Sequence, residues 1–502
     1  MKVVFRVDAS VWIGSGHVMR CLVLADELKS HGYSVSFACL PQKGDMISYI
    51  ESRGFDVVTL TAPSEYIQPT HEADYSGWLQ RSVCEDARDF LSHIKAADLV
   101  VIDHYAVESD WHKRVKNELG CHLMAIDDLA RTHDVDLIID QTLGRNPNEY
   151  IGSARALTGS DYALLAPNFL ALREQGLNRV PPKKKSRVLI SMGGIDNPNA
   201  TLSVLKALVG RVDASFTVLL STRAPHYHEV KAWCHQHHDV EHKEFESNMA
   251  ELMLQHDIAI GAPGTTSWER ACLGLPSILI PLAENQSMIC AQLLAHQAIL
   301  KVTLPEIKEK LLAAYEQIIS GWATYHTNNL RLCDGLGLRR VVLEIQQMLE
   351  PKAHSLLQLR RARRDDIDTV YHWQCHPKTR EYALNATVPS WDEHKQWMTR
   401  KLDSVRDYFY IVIDKQNHNP LGVVRLDNTE PGHYLVSIYV APESYGKGVA
   451  IAALSMVDEL HPEMSLHATV LKENVVSQKL FQKANYTQLD AETYIRYPIK
   501  EN

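Results

Sequence analysis

The stretch FRVDASVWIGSGHVMRCLVLADEL, beginning at residue 5, sets Gly14, Gly16 and His17 where a loop leaving a first strand gives way to a helix. At that point of an alternating α/β chain, a glycine-rich turn ordinarily cradles phosphate on backbone N–H groups and carries nothing that titrates. Here it carries an imidazole, a group that changes charge near neutrality and can take a proton from water. A second turn, in GAPGTTSWERACLGLP, offers Gly264, Thr265 and Thr266 to a diphosphate at a helix start. Glu269, about one turn into that helix, can accept both hydroxyls of a ribose. SMGGID brings Gly193 and Gly194 to another strand exit, and AENQ adds Asn285 and Gln286. Together these turns predict a nucleotide site.

Further along, SIYVAPESYGKGVAIAAL reads as a strand, a break, a glycine turn and a helix. Backbone N–H groups from Gly446 through Lys447, Gly448 and Val449 to Ala450 can hold a pyrophosphate as a helix N-terminus does. ALNATVPSWDEHKQWM places Trp391, His394 and Trp397 together near a helix start. One other cluster invites a metal: CHQHHDVEHKEF gathers Cys234, His235, His237, His238 and His242. Its spacing matches no tetrahedral signature, so a solvated histidine-rich turn is expected and no metal.

The elements that position these turns alternate. KVVFRVDA, YSVSFACL, FDVVTL, ADLVVIDHY, CHLMAIDDLA and VDLIIDQ are short apolar strands separated by helical patterns. This predicts a parallel sheet covered on both faces. Asp103, Asp127, Asp128 and Asp140 end several of these strands, at the edge where open α/β sheets bind ligands. A second alternating run follows the basic segment PPKKKSR, which reads as a solvated linker. Beyond Ser355 the texture becomes β-rich, and paired strands followed by a glycine turn and helix predict a mixed sheet. Three domains are expected: two Rossmann-like units over 1–165 and 166–350, and an α/β unit over 355–502.

The chain is 502 residues long, with 52 Lys and Arg against 61 Asp and Glu, a formal charge of −9. That balance argues against nucleic acid or an anionic membrane as the main partner. The nine cysteines form no CxxC pair, which suits a reducing cytoplasm. Arg6 and Asp8 interrupt the only apolar run at the N-terminus, and no stretch is long enough to span a bilayer, so a soluble cytoplasmic protein is expected.

Taken in order, RVDASVWIGSGHVMRCLVLADEL, VIDHY, IDDLA, IIDQ, SMGGIDNPN and PGTTSWE resemble the UDP-2,4-diacetamido-2,4,6-trideoxy-β-L-altropyranose hydrolases of pseudaminic acid synthesis. These are two-domain enzymes of GT-B fold, and the resemblance covers about residues 1–345. It implies that His17 is the general base for the water attacking the anomeric carbon. It also implies that Arg6, Asp8, Gly14 and Gly16 belong to the UDP-sugar site, with Asp8 orienting His17 or touching the sugar. UDP is already a good leaving group, so backbone amides suffice to stabilise it.

The last unit, about 355–500, resembles the GNAT acyltransferases. Val440, Tyr445 and Gly446 to Ala450 match the motif that holds the diphosphate of acetyl-CoA, and Asn474 in ENVVSQKLFQKANY matches the asparagine beside the pantetheine arm. Two departures stand out: Tyr445 replaces the usual Gln or Arg, and Phe481 occupies the position of the frequent general-acid tyrosine. Trp391, His394 and Trp397 resemble the acceptor region of the acetyltransferase that modifies the 4-amino group of a UDP-sugar. The resemblances imply a bifunctional enzyme that takes UDP-sugars and acetyl-CoA, in a pathway of surface or flagellar glycosylation. A sugar transferase carrying a non-catalytic acetyl-CoA-sensing module is the other reading.

Overall fold

The computed structural model describes residues 1–71, 73–152, 155–283, 286–352 and 355–499. The chain divides into two compact units, Met1–Val342 and Leu343–Asn502. Among the described residues no helix is long and apolar enough to cross a membrane.

The first unit holds two parallel sheets. Strands β1 (Lys2–Val7), β2 (Ser34–Cys39), β3 (Asp56–Thr59), β4 (Leu99–Asp103), β5 (His122–Ile126), β6 (Leu137–Asp140) and β7 (Arg155–Thr158) lie in the order β3-β2-β1-β4-β5-β6-β7. Val3, Val4, Phe5 and Val7 are buried whichever face they point to, as a sheet covered on both sides requires. Burying each such side chain contributes about 1.5–3 kcal/mol. The order reverses between β1 and β4, whose register pairs Val7 with Asp103 at their C-terminal ends. A crevice opens there in doubly wound sheets.

The second sheet contains β8 (Ser186–Ser191), β9 (Ala214–Leu219), β10 (Val240–Lys243), β11 (Ile258–Gly261), β12 (Ser277–Leu279) and β13 (Ile299–Lys301), in the order β10-β9-β8-β11-β12-β13. It reverses between β8 and β11, the strands that precede SMGGID and GAPGTT. Lys183, Lys184 and Lys185 lie exposed between the two sheets, as the linker reading expects. The sheets meet through their turns: Arg223 Nη2 donates to Gly44 O at 2.6 Å. Across the same gap, a Cβ on Gly194 would sit 3.5 Å from Ser15 Oγ.

The second unit is built on a mixed sheet of β14 (Leu357–Arg361), β15 (Tyr408–Asp414), β16 (Pro420–Glu430), β17 (His433–Val440), β18 (Ser465–Thr469), β19 (Thr487–Gln488) and β20 (Thr493–Arg496). Its order is β14-β15-β16-β17-β18-β20-β19, and β17–β18 is the parallel pair. Those two strands pair only over His433–Leu435 and Ser465–His467, while β17 continues to Val440. Beyond Leu435 they part.

Candidate active sites

The helix Gly16–Ser30 follows β1 after a turn closed by Gly14 N donating to Ser10 O at 3.0 Å. Gly14 has φ +78°, a conformation that L side chains adopt only under strain. His17 and Arg20 stand three residues apart, hence on one side of this helix. Both are buried, and both reach Asp103 at the end of β4.

His17 Nδ1 lies 2.5 Å from Asp103 Oδ1. Arg20 donates Nε to Asp103 Oδ2 at 2.6 Å and Nη2 to Oδ1 at 2.7 Å. Burial alone would raise the Asp103 carboxyl, but the Arg20 guanidinium, and then His17, hold it well below the usual range. An ionised carboxylate can only accept, so Nδ1 of His17 carries the proton and Nε2 keeps its lone pair. Among the described residues Nε2 has no hydrogen-bond partner, so its lone pair is left open on the turn. Arg20 is anchored in turn by Asp128 at 2.6 Å, which also accepts from Tyr105 OH at 2.7 Å. The Tyr105 ring packs edge-on against His17 at 4.6 Å, and Tyr75 and Trp78 continue the aromatic wall.

Two of the residues expected at this site have other partners in the structure. Asp8 makes no hydrogen bond to His17: its Oδ1 accepts from Arg6 at 2.6 Å and from Leu40 N at 2.7 Å. Arg6 is wholly enclosed, with Nε and Nη2 on Asp86 at 3.1 and 2.6 Å, and has no surface to offer a ligand. A guanidinium on a central buried strand must be neutralised in place, and Asp86 and Asp8 do so. The remaining strand-end carboxylates are also matched by arginines, Asp127 by Arg131 and Asp140 by Arg145.

In the second sheet, Gly193 leaves β8 with φ +87°. Asp196 accepts from Ala200 N and Thr201 N, each at 2.9 Å, at the start of the helix Ala200–Leu208. The glycines, rather than this capped helix start, are therefore what the turn presents. Gly261, at the end of β11, is a position only glycine fits: a Cβ there would stand 2.3 Å from Ser191 O and 2.6 Å from Arg270 Nη1. Arg270 lies buried beneath the Gly264 turn, with Nη2 donating to Ala262 O at 2.9 Å and to Thr266 Oγ1 at 3.2 Å. Nothing in residue spacing marked this cation, whose field favours an anion on the turn. Glu269 Oε2 is buried and has no partner among the described residues. Burial pushes this carboxyl up to about 7, opposed by the neighbouring Arg270. Gln286 uses Oε1 to accept from Leu282 N at 2.8 Å. Asn285 lies outside the described residues.

In the second unit, Val440 ends β17 and Gly446 and Gly448 follow with φ +74° and +77°. Gly448 caps the helix Val449–Leu460, and open space surrounds both glycines where a Cβ would be. Lys447 is exposed and Ala450 half-buried. Tyr445 OH meets Thr379 Oγ1 at 3.3 Å, with Lys378 Nζ 5.8 Å from the ring centre. Asn474 caps the helix Val475–Lys483 by accepting from Ser477 N at 3.0 Å. Phe481, on that helix, is buried against Tyr486 and Tyr494.

The acceptor trio divides. Trp391 is 38% exposed, and Trp397 lies under the Arg425 guanidinium at 4.8 Å. His394 is buried, with Nδ1 2.7 Å from Gln374 Oε1 and Nε2 3.2 Å from Ile367 O. Both nitrogens are engaged, and the ring ties the helices Trp391–Asp403 and Ile367–Cys375 together. In the histidine-rich turn, His237 stacks on Trp233 at 3.7 Å, and His238 is exposed beside Asp239. Among the described residues no group of three His, Cys, Asp or Glu side chains is placed to hold a metal ion.

Two family patterns match this chain: the glycosyltransferase family 28 C-terminal domain over residues 196–322, and the GNAT acetyltransferase domain over 357–487. An uncharacterized protein of Methanocaldococcus jannaschii is 24% identical over 97% of this chain and 96% of its own length. The UDP-2,4-diacetamido-2,4,6-trideoxy-beta-L-altropyranose hydrolase of Campylobacter jejuni is 29% identical over 50% of this chain and 81% of its own. The spore coat polysaccharide biosynthesis protein SpsG of Bacillus subtilis is 26% identical over 51% of this chain and 78% of its own. These similarities fit a fusion of a hydrolase-like unit of two Rossmann-like sheets with a GNAT domain, hence a sugar-nucleotide-related enzyme carrying an acetyltransferase module.

Proposed function

We propose that this chain is a bifunctional enzyme of pseudaminic acid biosynthesis. Its GNAT unit acetylates the 4-amino group of UDP-4-amino-4,6-dideoxy-N-acetyl-β-L-altrosamine with acetyl-CoA. Its first unit then hydrolyses the diacetamido product at C1 to free sugar and UDP. The observation that carries the hydrolytic reading is the Asp103–His17 pair, which leaves a basic Nε2 on the turn that meets the glycines of the second sheet. In the step, a water oxygen bonds to C1, the bond from C1 to the phosphate oxygen breaks, and Nε2 takes the proton water loses. UDP departs with the bonding pair, its charge met by backbone N–H groups of the glycine turns and by the field of Arg270. Incubating the protein with the amino-sugar nucleotide and acetyl-CoA, with products followed by NMR, tests both halves. Free sugar formed without any acceptor favours a hydrolase; its absence, with sugar passed to an added acceptor, favours a transferase.

Glu269 supplies a separate test. A carboxylate whose Oε2 is buried without a partner among the described residues suits the paired hydroxyls of a ribose, but only when ionised. With its carboxyl pushed up to about 7, part of the free protein is protonated at neutrality. UDP-sugar affinity should therefore climb as pH rises from about 6 to 8 and level off above. Glu269→Gln should flatten that dependence and raise KM about tenfold or more, with kcat little changed, because ribose contacts serve ground and transition states alike. A variant with wild-type KM and a collapsed kcat would contradict the assignment.

A further inference from the structure

Acetyl transfer to an amine needs a proton on the departing sulfur, and the residue that resemblance offers for this task, at position 481, is a phenylalanine enclosed in the core. The second unit contains another phenol in a better place. β17 alternates its faces: Tyr434, Val436, Ile438 and Val440 pack on the side of the helix Val449–Leu460. Tyr439 packs on the opposite side, with Ile367, Val370 and Met398 of the helices Ile367–Cys375 and Trp391–Asp403. Tyr439 also belongs to the Val436–Val440 segment of β17, which β18 does not pair. On the acetyl-transfer reading, a coenzyme with its diphosphate on Gly446–Ala450 would run its arm along this unpaired edge. A thioester held along that edge would lie beside the strand that carries Tyr439.

The Tyr439 hydroxyl is buried and has no hydrogen-bond partner among the described residues. Tyr486 and Tyr494 share that property, but both pack with Phe481 in the core on the other face. Burial raises the Tyr439 phenol above its ordinary range, while Arg425 and Arg380 nearby act in the opposite sense. The group therefore holds its proton at neutral pH.

We propose that Tyr439 is the acid of the acetyltransferase, donating its proton to the CoA sulfur as the acetyl group leaves. This rests on the acetyl-transfer reading above. The amine nitrogen bonds to the acetyl carbon, the carbon–sulfur bond breaks, and its electron pair goes to sulfur. Sulfur takes the Tyr439 proton, and the phenolate recovers the proton that the newly acylated nitrogen sheds to become the amide, so one proton moves overall from nitrogen to sulfur.

Tyr439→Phe removes a hydroxyl that bonds to nothing in the protein, so the fold should survive and melting should not fall. The kcat for the amino-sugar nucleotide should drop about 10²–10⁴-fold. KM for acetyl-CoA, and CoA affinity by calorimetry, should stay within about threefold, because the acid acts only as the bond breaks. Tyr486→Phe and Tyr494→Phe should keep wild-type kcat. Wild-type turnover that Tyr439→Phe leaves intact, or a loss in Tyr494→Phe alone, overturns the assignment. Absence of turnover in the wild-type protein, with CoA still bound, instead removes the acetyl-transfer reading and this role with it.

Discussion

Replacing His17 by alanine should slow release of free sugar from the UDP-sugar by about 10²–10⁴-fold, the usual worth of a positioned base. The imidazole is the only free basic atom on its turn, and alanine leaves water to attack unassisted. Acetylation should proceed at the wild-type rate, because the GNAT unit has its own core around Tyr410, Val424 and Met456. Given both substrates, the variant should accumulate the diacetamido nucleotide, visible by anion-exchange chromatography. If instead it hydrolyses the nucleotide at an undiminished rate, the turn is a phosphate cradle and the base lies elsewhere.

Asp103→Asn should cost nearly as much in rate, and more in stability. An asparagine can turn its amide N–H toward Nδ1, which moves the imidazole proton to Nε2 and removes the basic lone pair from the turn. A loss of about 10²–10⁴-fold in kcat is expected. The same change leaves Arg20 buried beside a neutral amide, and breaking a buried pair from one side costs about 3–5 kcal/mol. The pH dependence identifies the source. Burial opposes ionisation of Asp103, but Arg20 and His17 depress its folded pKa. Its stabilisation is therefore complete above the unfolded carboxyl value of about 4 and fades as pH falls toward the folded one. Thermal melts of the wild-type protein should lose this contribution in acid, and those of Asp103→Asn should lack it throughout. Equal acid slopes in the two proteins would show that Asp103 is not the ionised partner.

The alternating pattern made the two parallel sheets and the mixed sheet legible in the sequence, since strand and helix periodicities depend on neighbours a few residues apart. It also made the glycine turns legible, because only particular residue types tolerate those backbones. The partner of His17 was not. Asp8 is close in sequence, whereas Asp103 is 86 residues away and becomes adjacent only because β4 crosses over to lie beside β1. The signal that points to it is topological: an acidic residue ending the strand across the switch point from the histidine turn. Arg6 misleads for the same reason, since Asp86 arrives from a distant helix. His394 misleads differently. Its spacing between two tryptophans is that of a helix face, but whether the face meets solvent or another helix depends on where Gln374 and Ile367 fall.

The parting of β17 from β18 leaves a bare edge in the interior of a sheet, with one side of β17 laddered to β16 and the other unfinished past Leu435. Any extended ligand bearing amide groups can serve as the missing rungs, in the manner of a strand added to an open edge. Recognition of that kind is written in main-chain N–H and C=O groups, which every residue but proline supplies alike. The lining of the opening can therefore drift in residue type without loss of grip, provided the backbone stays extended.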